Sequence, residues 1–296
     1  MRNLIFRKFD WLLAGVIALS TIPAGAVFDL GLAGAHADTL RISGTGATLA
    51  TMQAVGAAFS ESERIDPIDI ETLPSLGSAG GIRAVGDGVI SVAVTSRPPN
   101  PTENTVGLQA TAIGVTPIAF VSSNPQPGGL VRADLPEIYR REKLRWADGS
   151  EIRIILRPPE GTTEEFLKVF FPNLVRLYAG LRQRGIFPIA STDQENVALA
   201  SDIKGSLTIV TMAQMRGERL DLHVLPLDGI WPNLETLESG SHRFALPLYL
   251  VHRTSDNTAQ RFLAFLRSPA GAEILHRNPS SLSSRPRRSA REAVSA

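Results

Sequence analysis

The chain contains 296 residues, of which 43% are hydrophobic and 20% are charged, and its formal net charge is +1. This composition is ordinary for a globular protein, and the length suffices for one large domain or two small ones. Cysteine is absent from the sequence. That excludes a disulfide framework, a thiolate metal site, a cysteine nucleophile and a lipid anchor on an N-terminal cysteine.

The N-terminal segment has the order of features that is typical of an export signal. A basic start, an apolar run and a small-x-small cleavage site follow one another: Arg2, Arg7 and Lys8, then Trp11–Ala26, then Ala35-His36-Ala37. We therefore predict a signal peptide over residues 1–37 and a periplasmic mature protein that begins at Asp38.

Two alternatives to cleavage after Ala37 stay open. A retained apolar stretch would act as a single membrane anchor, although Pro23 and Asp29 interrupt it and both are unfavourable in a spanning helix. Cleavage after Ala26 is the second alternative. Removal of residues 1–37 leaves 27 basic and 27 acidic residues, so any attraction for an anion must be local.

The last residues, 281–296, are basic and polar and lack apolar periodicity. They include Arg285, Arg287, Arg288 and Arg291, and a stretch of this composition cannot bury enough apolar surface to fold. We predict a solvated, disordered tail. Because the protein is expected to be exported, we assign the tail no role in nucleic-acid binding.

The rest of the chain alternates short β-like runs with helical patterns, which indicates an α/β fold. It begins β-α-β-α-β with a polar loop at the carboxyl end of each strand, the edge where open α/β sheets bind ligands. The predicted elements are a strand Thr39–Ser43, a helix carrying Met52, Val55, Ala58 and Phe59, a strand Ile68–Leu73, a short helix from Ile82 and a strand Ile90–Thr95.

The second half continues this alternation, and its spacing predicts one long helix. Apolar residues recur at helical spacing and a glycine ends the run: Phe166, Val169, Phe170, Leu174, Leu177, Leu181 and then Gly185. The other predicted elements are the strands Ile113–Ser122, Glu151–Leu156, Leu207–Val210, Leu222–Leu225 and Ala245–His252, a helix near Leu135–Arg140, and a helix over Thr258–Leu275 with a break at Ser268-Pro269. Ile113–Ser122 and Ala245–His252 are candidate hinge strands.

Polar, glycine-containing loops lie at three of the predicted strand-to-helix junctions: Gly44–Thr48, Gly77–Gly81 and Arg157–Thr163. Each can present backbone N–H groups and a hydroxyl at a helix N-terminus, where the peptide dipoles favour an anion. A single hydroxyl such as Thr48, Ser78 or Thr162 is more typical of ordinary helix capping. Three loops of this type in one α/β chain favour an oxyanion site.

Arg157 stands at the end of an apolar strand, next to the third loop. Its guanidinium can hold a tetrahedral oxyanion through two parallel hydrogen bonds. A surface ion pair with Glu160 or Glu164 is an equally weighted alternative.

The sequence carries no recognisable catalytic motif. Gly44-Thr45-Gly46 lacks the third glycine and the downstream acid of a dinucleotide site, and no Walker loop, Gly-x-Ser-x-Gly elbow or His-Glu-x-x-His helix occurs. The histidines of the mature chain are too scattered for a metal cluster and are expected at the surface or at helix caps: His223, His242, His252 and His276. We predict a protein that is not an enzyme and that uses no cofactor and no metal.

Short motifs follow one another in a specific order along the mature chain. They are Gly44-Thr45-Gly46-Ala47-Thr48, Gly77-Ser78-Ala79-Gly80-Gly81-Ile82, Val94-Thr95-Ser96-Arg97-Pro98, Leu135–Tyr139 with Trp146-Ala147-Asp148-Gly149, Gly205–Val210, Pro247-Leu248-Tyr249-Leu250 and the helix Phe262–Leu275. Their order and spacing resemble the signatures of the phosphate-binding receptors of bacterial ABC transporters. The resemblance covers nearly the whole mature chain, to about residue 280.

This resemblance implies an α/β, two-lobed type II periplasmic binding protein fold with the ligand cleft between the lobes. Lobe 1 would comprise residues 38–115 and 244–280, and lobe 2 residues 116–243. The resemblance also implies a set of ligand-binding residues: Thr48 and the backbone of Leu49 from the first loop, Ser78 from the second with Ser96 and Arg97 nearby, and Arg157, Gly161 and Thr162 from the third.

The implied function is that of a monomeric, non-catalytic receptor for phosphate or a related tetrahedral oxyanion, serving an ABC permease in the inner membrane. Two departures from the family pattern bear on the ligand, and the first of them, Glu160, favours an alternative function. Glu160 stands where the family usually has serine before Gly161-Thr162, and no acidic residue near Ser96 is available to accept a proton from phosphate. The alternative is a regulatory or interaction protein with the same fold and a degenerate anion site. We expect Glu160 to point outward or to pair with Arg157 or Arg97.

Overall fold

The structure is a computed structural model that describes residues 38–63, 68–103, 107–159 and 161–277. The predicted signal peptide, the predicted basic tail and Glu160 lie outside the described residues, so the statements about them stay predictions. Over the described ranges, no helix combines the length and the apolar character that a membrane crossing requires.

Within these ranges the chain forms eight β-strands and ten α-helices. The strands are β1 (Asp38–Gly44), β2 (Ile68–Thr72), β3 (Val92–Thr95), β4 (Leu108–Ser122), β5 (Arg153–Ile154), β6 (Ser206–Thr211), β7 (His223–Leu225) and β8 (Ala245–Arg253). The helices are α1 (Leu49–Ser62), α2 (Gly77–Gly86), α3 (Leu135–Arg140), α4 (Thr162–Phe170), α5 (Pro172–Gln183), α6 (Asp193–Asp202), α7 (Met212–Gly217), α8 (Leu234–Ser239), α9 (Asn257–Arg267) and α10 (Pro269–Arg277). Short 3-10 turns cover Gly46–Thr48 and Arg132–Asp134.

The strands lie side by side in the sheet in the order β2-β1-β3-β8-β4-β6-β5, each hydrogen-bonded to the next, and β7 also pairs with β4. Strand β1 is parallel to β2 and β3, and β5 is parallel to β6. Strand β8 is antiparallel to β3 and β4, and β4 is antiparallel to β6 and β7. In the parallel units the polar segments of the candidate site follow the carboxyl ends of β1, β2, β3 and β5, the position at which open α/β sheets bind ligands.

Strand β4 changes its partners along its length. Its first part pairs with β8 as far as Pro117, which lies opposite Ala245. From Ile118, opposite Thr211, it pairs with β6, and from Phe120 it also pairs with β7. The change at Pro117-Ile118 falls close to the lobe boundary that we predicted after residue 115, and it joins the two halves of the sheet through one continuous strand.

The return segment after β8 packs back onto the N-terminal half. The ring of Phe262 in α9 lies 5.4 Å from that of Phe59 in α1, in an edge-to-face arrangement, and both side chains are fully buried. Such aromatic pairs contribute beyond the area they bury. The contact fixes α9 against α1 and closes the first half of the fold around β1 and β3.

The long helix predicted after Thr163 is two helices, α4 and α5. Pro172 is the first residue of α5, and Phe171 before it adopts a non-helical conformation, with φ −142° and ψ 58°. Proline cannot donate the helical hydrogen bond, and its ring disfavours the helical conformation of the preceding residue. The continuous-helix prediction was therefore wrong at this point.

Helix α2 begins at Gly77, five residues before the predicted start at Ile82. The glycines that we interpreted as a loop form its first turns. A Cβ atom on Gly81 would lie 3.0 Å from both Ala93 Cβ and Gly44 Cα, so glycine allows the helix to approach the sheet more closely than any other residue. Close packing outweighs the low helix propensity of glycine here.

Two further predictions differ from the structure. Strand β5 covers only Arg153–Ile154 of the predicted strand Glu151–Leu156. His242 and His252 are buried, 4% and 0% exposed, rather than at the surface. His242 packs edge-on against the Phe244 ring, with 5.0 Å between ring centres, and His252 lies on β8 in the middle of the sheet.

Candidate functional site

Three hydroxyl groups from separate loops meet at the carboxyl edge of the sheet. Ser78 Oγ lies 3.0 Å from Ser96 Oγ and also accepts a hydrogen bond from the Ser96 N–H at 2.9 Å. Ser96 Oγ lies 3.5 Å from Thr162 Oγ1. Ser78 belongs to the first turn of α2, Ser96 follows β3, and Thr162 is the first residue of α4. The structure thus brings together three of the residues that the sequence analysis selected.

A small cavity adjoins Thr162. Its volume is about 20 Å³, and it is lined by Thr45, Ala47, Ile118, Thr162, Thr163, Phe166, Asp193, Ile209, Val210, Thr211 and Gln214. A space of this size holds about one water molecule. A tetrahedral oxyanion therefore fits at this position only if the surrounding segments move apart.

Three helices of nine or ten residues begin around the hydroxyl cluster and the cavity. Helix α2 begins at Gly77, α4 at Thr162 after its N-cap Gly161, and α6 at Asp193 after its N-cap Thr192. The first N–H groups of a helix have no partner within the helix, and its N-terminus carries a partial positive charge. Their convergence favours an anion at this place.

Arg157 lies behind the cavity wall rather than on it. Its Nη1 donates hydrogen bonds to the carbonyl oxygens of Ala190, at 3.0 Å, and of Thr192, and its Nη2 donates to Asp193 Oδ1 at 2.8 Å. The side chain is only 13% exposed. The partner is thus Asp193 and not Glu164, which instead pairs with Arg182 at 2.7 Å.

Asp193 is a site residue that the sequence analysis missed. Its Oδ2 accepts a hydrogen bond from Thr45 Oγ1 at 3.2 Å, so its carboxylate links the first loop to α6 and to Arg157. A signal for α6 was present, because Thr192 and Glu195 have the spacing of a capping box. Thr192 Oγ1 does accept a hydrogen bond from the Glu195 N–H at 3.0 Å. Nothing in the sequence, however, shows that Asp193 faces the first loop.

A polar network beside the cavity ties the first loop to α6 and α7. Gln194 Nε2 donates to the Gly46 carbonyl at 3.2 Å and to Glu218 Oε1 at 2.9 Å. Gln214 Nε2 donates to the Asp193 carbonyl at 3.1 Å and also to Glu218. Burial, together with the nearby charge of Asp193, raises the pKa of the Glu218 carboxyl above its usual value.

The other selected residues take different positions. Thr48 and Leu49 are buried, 1% and 8% exposed, and do not line the cavity, whereas Thr45 and Ala47 do. Thr48 Oγ1 has no hydrogen-bond partner among the described residues. Thr48 ends the short 3-10 turn Gly46–Thr48 and lies off the cavity wall on which the family resemblance had placed it.

Arg97 forms a two-pronged ion pair with Glu103. The Nη1 and Nη2 atoms of Arg97 lie 2.5 and 2.7 Å from the two carboxylate oxygens. This hydrogen bonding holds the pKa of the Glu103 carboxyl below its usual value. The guanidinium of Arg97 is therefore directed at Glu103 and not at the hydroxyl cluster beside it. Within the described residues, no group of three or more His, Asp and Glu side chains is placed to hold a metal ion.

A sheet whose halves share one strand, with polar loops meeting at a small cavity between them, defines a two-lobed binding protein. The chain belongs to the PBP superfamily, the periplasmic binding proteins, because the model of that superfamily domain matches residues 33–270. No curated protein gives a significant match to this sequence.

Solved structures share this fold at low sequence identity. A protein from Clostridium perfringens, described as a phosphate ABC transporter substrate-binding protein with bound phosphate, is 18% identical, with a TM-score of 0.68 over 83% of this chain and 100% of that one. An ABC-type phosphate transport receptor from Vibrio cholerae is 16% identical, with a TM-score of 0.52 over 82% and 99%. The periplasmic molybdate-binding protein of Azotobacter vinelandii is 12% identical, with a TM-score of 0.56 over 82% and 99%. The predicted two-lobed α/β fold is confirmed, and the predicted resemblance to the phosphate-binding receptors is confirmed at the level of the fold.

Proposed function

We propose that this protein is a periplasmic, non-catalytic receptor that captures phosphate or a related tetrahedral oxyanion and delivers it to the permease of an ABC importer. The observation that supports this most strongly is the meeting of the Ser78, Ser96 and Thr162 hydroxyls beside a cavity and the starts of α2 and α4. Hydroxyl and N–H donors around a helix start suit an oxyanion of any protonation state.

The hydroxyl cluster is also suited to the exchange of partners that binding requires. Ser78, Ser96 and Thr162 satisfy one another in this structure. An oxyanion that separates the loops replaces these neutral contacts by charge-assisted ones, which are about twice as strong. This gain acts against the cost of opening the cavity.

The proposed lobes are residues 38–115 with 244–280, and residues 116–243. Support comes from β4, whose partner changes from β8 to β6 between Pro117 and Ile118. The Ile118 N–H also donates to the Phe244 carbonyl at 2.9 Å, so the two crossing segments are adjacent. The small cavity must widen before an oxyanion can enter, and movement of the lobes about these strands would widen it.

The relatives support the ligand class. The C. perfringens protein was solved with phosphate, the V. cholerae protein is a phosphate transport receptor and the A. vinelandii protein binds molybdate. Phosphate and molybdate are both tetrahedral oxyanions. The A. vinelandii protein is periplasmic, which agrees with the export signal that we predict over residues 1–37.

A second candidate function is a regulatory or interaction role with a degenerate anion site. Asp193 supports it, because this carboxylate lines the cavity and takes up the guanidinium of Arg157. An unpaired carboxylate ~5 Å from a bound anion would oppose it by roughly 3 kcal/mol per unit charge at an effective dielectric constant near 20. Because the Arg157–Asp193 pair is neutral as a whole, it does not repel an anion as an unpaired carboxylate would. We therefore place the receptor proposal first.

Calorimetric titration with phosphate, molybdate and sulfate tests the receptor proposal. Ser96→Ala and Thr162→Val each remove one hydroxyl from the cluster. We expect each to weaken binding by roughly 10- to 100-fold, the effect of a hydrogen bond to a charged group. Thr258→Val is the matched control, because the Thr258 hydroxyl bonds to Asp38, away from the cluster.

Three results distinguish the candidates. Tight binding of one oxyanion that both cluster variants weaken and the control does not supports the receptor. Absence of binding of all three anions to the wild type favours the regulatory alternative. Binding that is insensitive to Ser96→Ala and Thr162→Val would remove the hydroxyl cluster from the site.

A further inference from the structure

A second and larger cavity lies in the half of the molecule that contains β6 and β7. Its volume is about 310 Å³, and it is lined by Arg132, Leu227, Asp228, Ile230, Ser241, His242, Arg243 and Phe244. Cavities that bind small organic molecules begin at about 300 Å³. This cavity shares no lining residue with the one beside Thr162.

The charge in this cavity favours an anion. The guanidinium carbon of Arg132 lies 4.9 Å from the centre of the Phe171 ring and 5.2 Å from that of Phe244. Both distances are those of a cation–π contact, and the N–H groups of a guanidinium suit a carboxylate. Arg243 adds a second cation, and it is exposed and therefore accessible.

One acidic residue, Asp228, opposes the two arginines. Its Oδ1 accepts a hydrogen bond from the backbone N–H of Arg132 at 2.9 Å. Its Oδ2 forms an ion pair with the Arg132 side chain, with 3.8 Å between Oδ2 and Nε. Burial lowers the pKa of His242, so this side chain is neutral at neutral pH. Two arginines and one aspartate therefore give the lining of this cavity a net charge of +1, which an anionic ligand can neutralise.

The rest of the wall combines the polar side chains of Ser241 and His242 with an apolar part. Leu227 and Phe244 are buried, 5% and 7% exposed, and Ile230 lies beside them. An inorganic oxyanion would leave this surface without a partner, whereas an organic anion would cover it. The chemistry of the cavity therefore matches a small carboxylate with an apolar body.

The cavity touches the wall of the first one at two points. Two residues that line the second cavity contact the backbone of Ile118. The Ile118 N–H donates to the Phe244 carbonyl at 2.9 Å, and the Ile118 carbonyl lies 3.1 Å from His242 Nε2. The Phe166 ring packs edge-on against Phe244, with 5.8 Å between ring centres. Ile118 and Phe166 both line the first cavity.

We propose that the cavity lined by Arg132, Arg243 and Phe244 is a second binding site, for a small organic carboxylate, and that its occupancy changes ligand affinity at the first cavity through Ile118 and Phe166. The site itself is independent of the proposed function. Only the coupling rests on it.

Calorimetric titration of the full chain with benzoate tests the site, with 4-methylpentanoate as an aliphatic probe and benzamide as the uncharged isostere. We expect one of the two carboxylates to bind at millimolar or lower concentration and benzamide to bind at least about tenfold more weakly, the loss of one charge-assisted contact. Arg243→Gln should weaken the bound carboxylate by about tenfold for the same reason. Arg184→Gln, another exposed arginine, is the matched control and should have no effect.

The outcomes separate this proposal from the proposed function. Absence of binding of both carboxylates, equal binding of benzamide, or binding that Arg243→Gln leaves unchanged would each overturn the second site. Loss of carboxylate binding in Thr162→Val would place the carboxylate in the first cavity and would also overturn it. If phosphate binds, saturation with the carboxylate should change its dissociation constant by at least about threefold, and phosphate should change carboxylate affinity by the same factor. An unchanged phosphate affinity would remove the coupling and leave the site.

Discussion

Arg157→Met tests how much the Arg157–Asp193 ion pair contributes to the stability of the fold. Methionine keeps most of the apolar stem and removes the guanidinium, so the carbonyls of Ala190 and Thr192 and the carboxylate of Asp193 lose the hydrogen bonds that Arg157 donates. Removal of one partner from a buried ion pair costs about 3–5 kcal/mol.

The exposure of the pair sets the expected magnitude. The side chains of Arg157 and Asp193 are 13% and 21% exposed, so water partly compensates the unpaired carboxylate, and we expect the lower end, about 3 kcal/mol. For a chain of this size that corresponds to a fall in Tm of roughly 6–12 °C. Arg41→Met is the control, because the Arg41–Glu71 pair is about half exposed and such pairs contribute about 1 kcal/mol or less.

The double variant Arg157→Met with Asp193→Asn identifies the cause. It leaves no unpaired carboxylate, so it should recover about half of the lost free energy of unfolding, or about 1.5 kcal/mol. Urea denaturation followed by circular dichroism measures both losses. If the double variant is as unstable as the single one, the hydrogen bonds to the Ala190 and Thr192 carbonyls account for the effect. Recovery of nothing would therefore refute the reasoning from the ion pair.

Two further predictions concern the polar network and the sheet edge. Because burial raises the pKa of Glu218, the folded protein binds that proton more tightly than the unfolded chain, and this stability is lost as pH rises through the folded pKa. Glu218→Gln should therefore raise Tm at about pH 7 relative to wild type, with the difference vanishing near pH 4; a difference independent of pH in thermal scans would contradict the assignment. Gly44→Ala should cost more than about 3 kcal/mol, because its Cβ would lie 2.0 Å from the Val94 carbonyl oxygen at a φ of 120°. Gly77→Ala, at φ 67° with open space around it, should cost about 1–2 kcal/mol; equal losses in urea denaturation would show that the close approach is unimportant.

Sequence reasoning succeeded where one local pattern decides the structure. Strand β8 and helix α3 follow the predicted ranges within a residue, and the break between α9 and α10 falls at Ser268-Pro269 as predicted. Alternation, spacing and proline act over a few residues, so they are visible without the tertiary structure. Pro172 is equally visible in the sequence, but the apolar spacing continues on both sides of it and therefore favours a single helix.

The parts of the site that sequence reasoning missed depend on distant partners. Arg157 follows β5 and Asp193 is the first residue of α6, and only the fold brings their side chains within 2.8 Å. In the first loop the residue that lines the cavity is Thr45 and not Thr48, which lies in the 3-10 turn Gly46–Thr48. Hydroxyls at loop positions could be selected from the sequence, but their orientations could not, because rotation of a short helical turn leaves no pattern of its own.

The central position of β8 has a consequence for how the chain folds. Val92 of β3 pairs with His252 of β8, 160 residues later in the chain. Closing a loop of that length costs about 4–5 kcal/mol of chain entropy before any contact is made, and topologies with such distant pairings fold slowly. The first half of the chain therefore cannot complete its sheet until nearly all of the polypeptide is available. A chain that ended before Ala245 would lack the strand between β3 and β4, so it would lose the middle of the sheet rather than an edge.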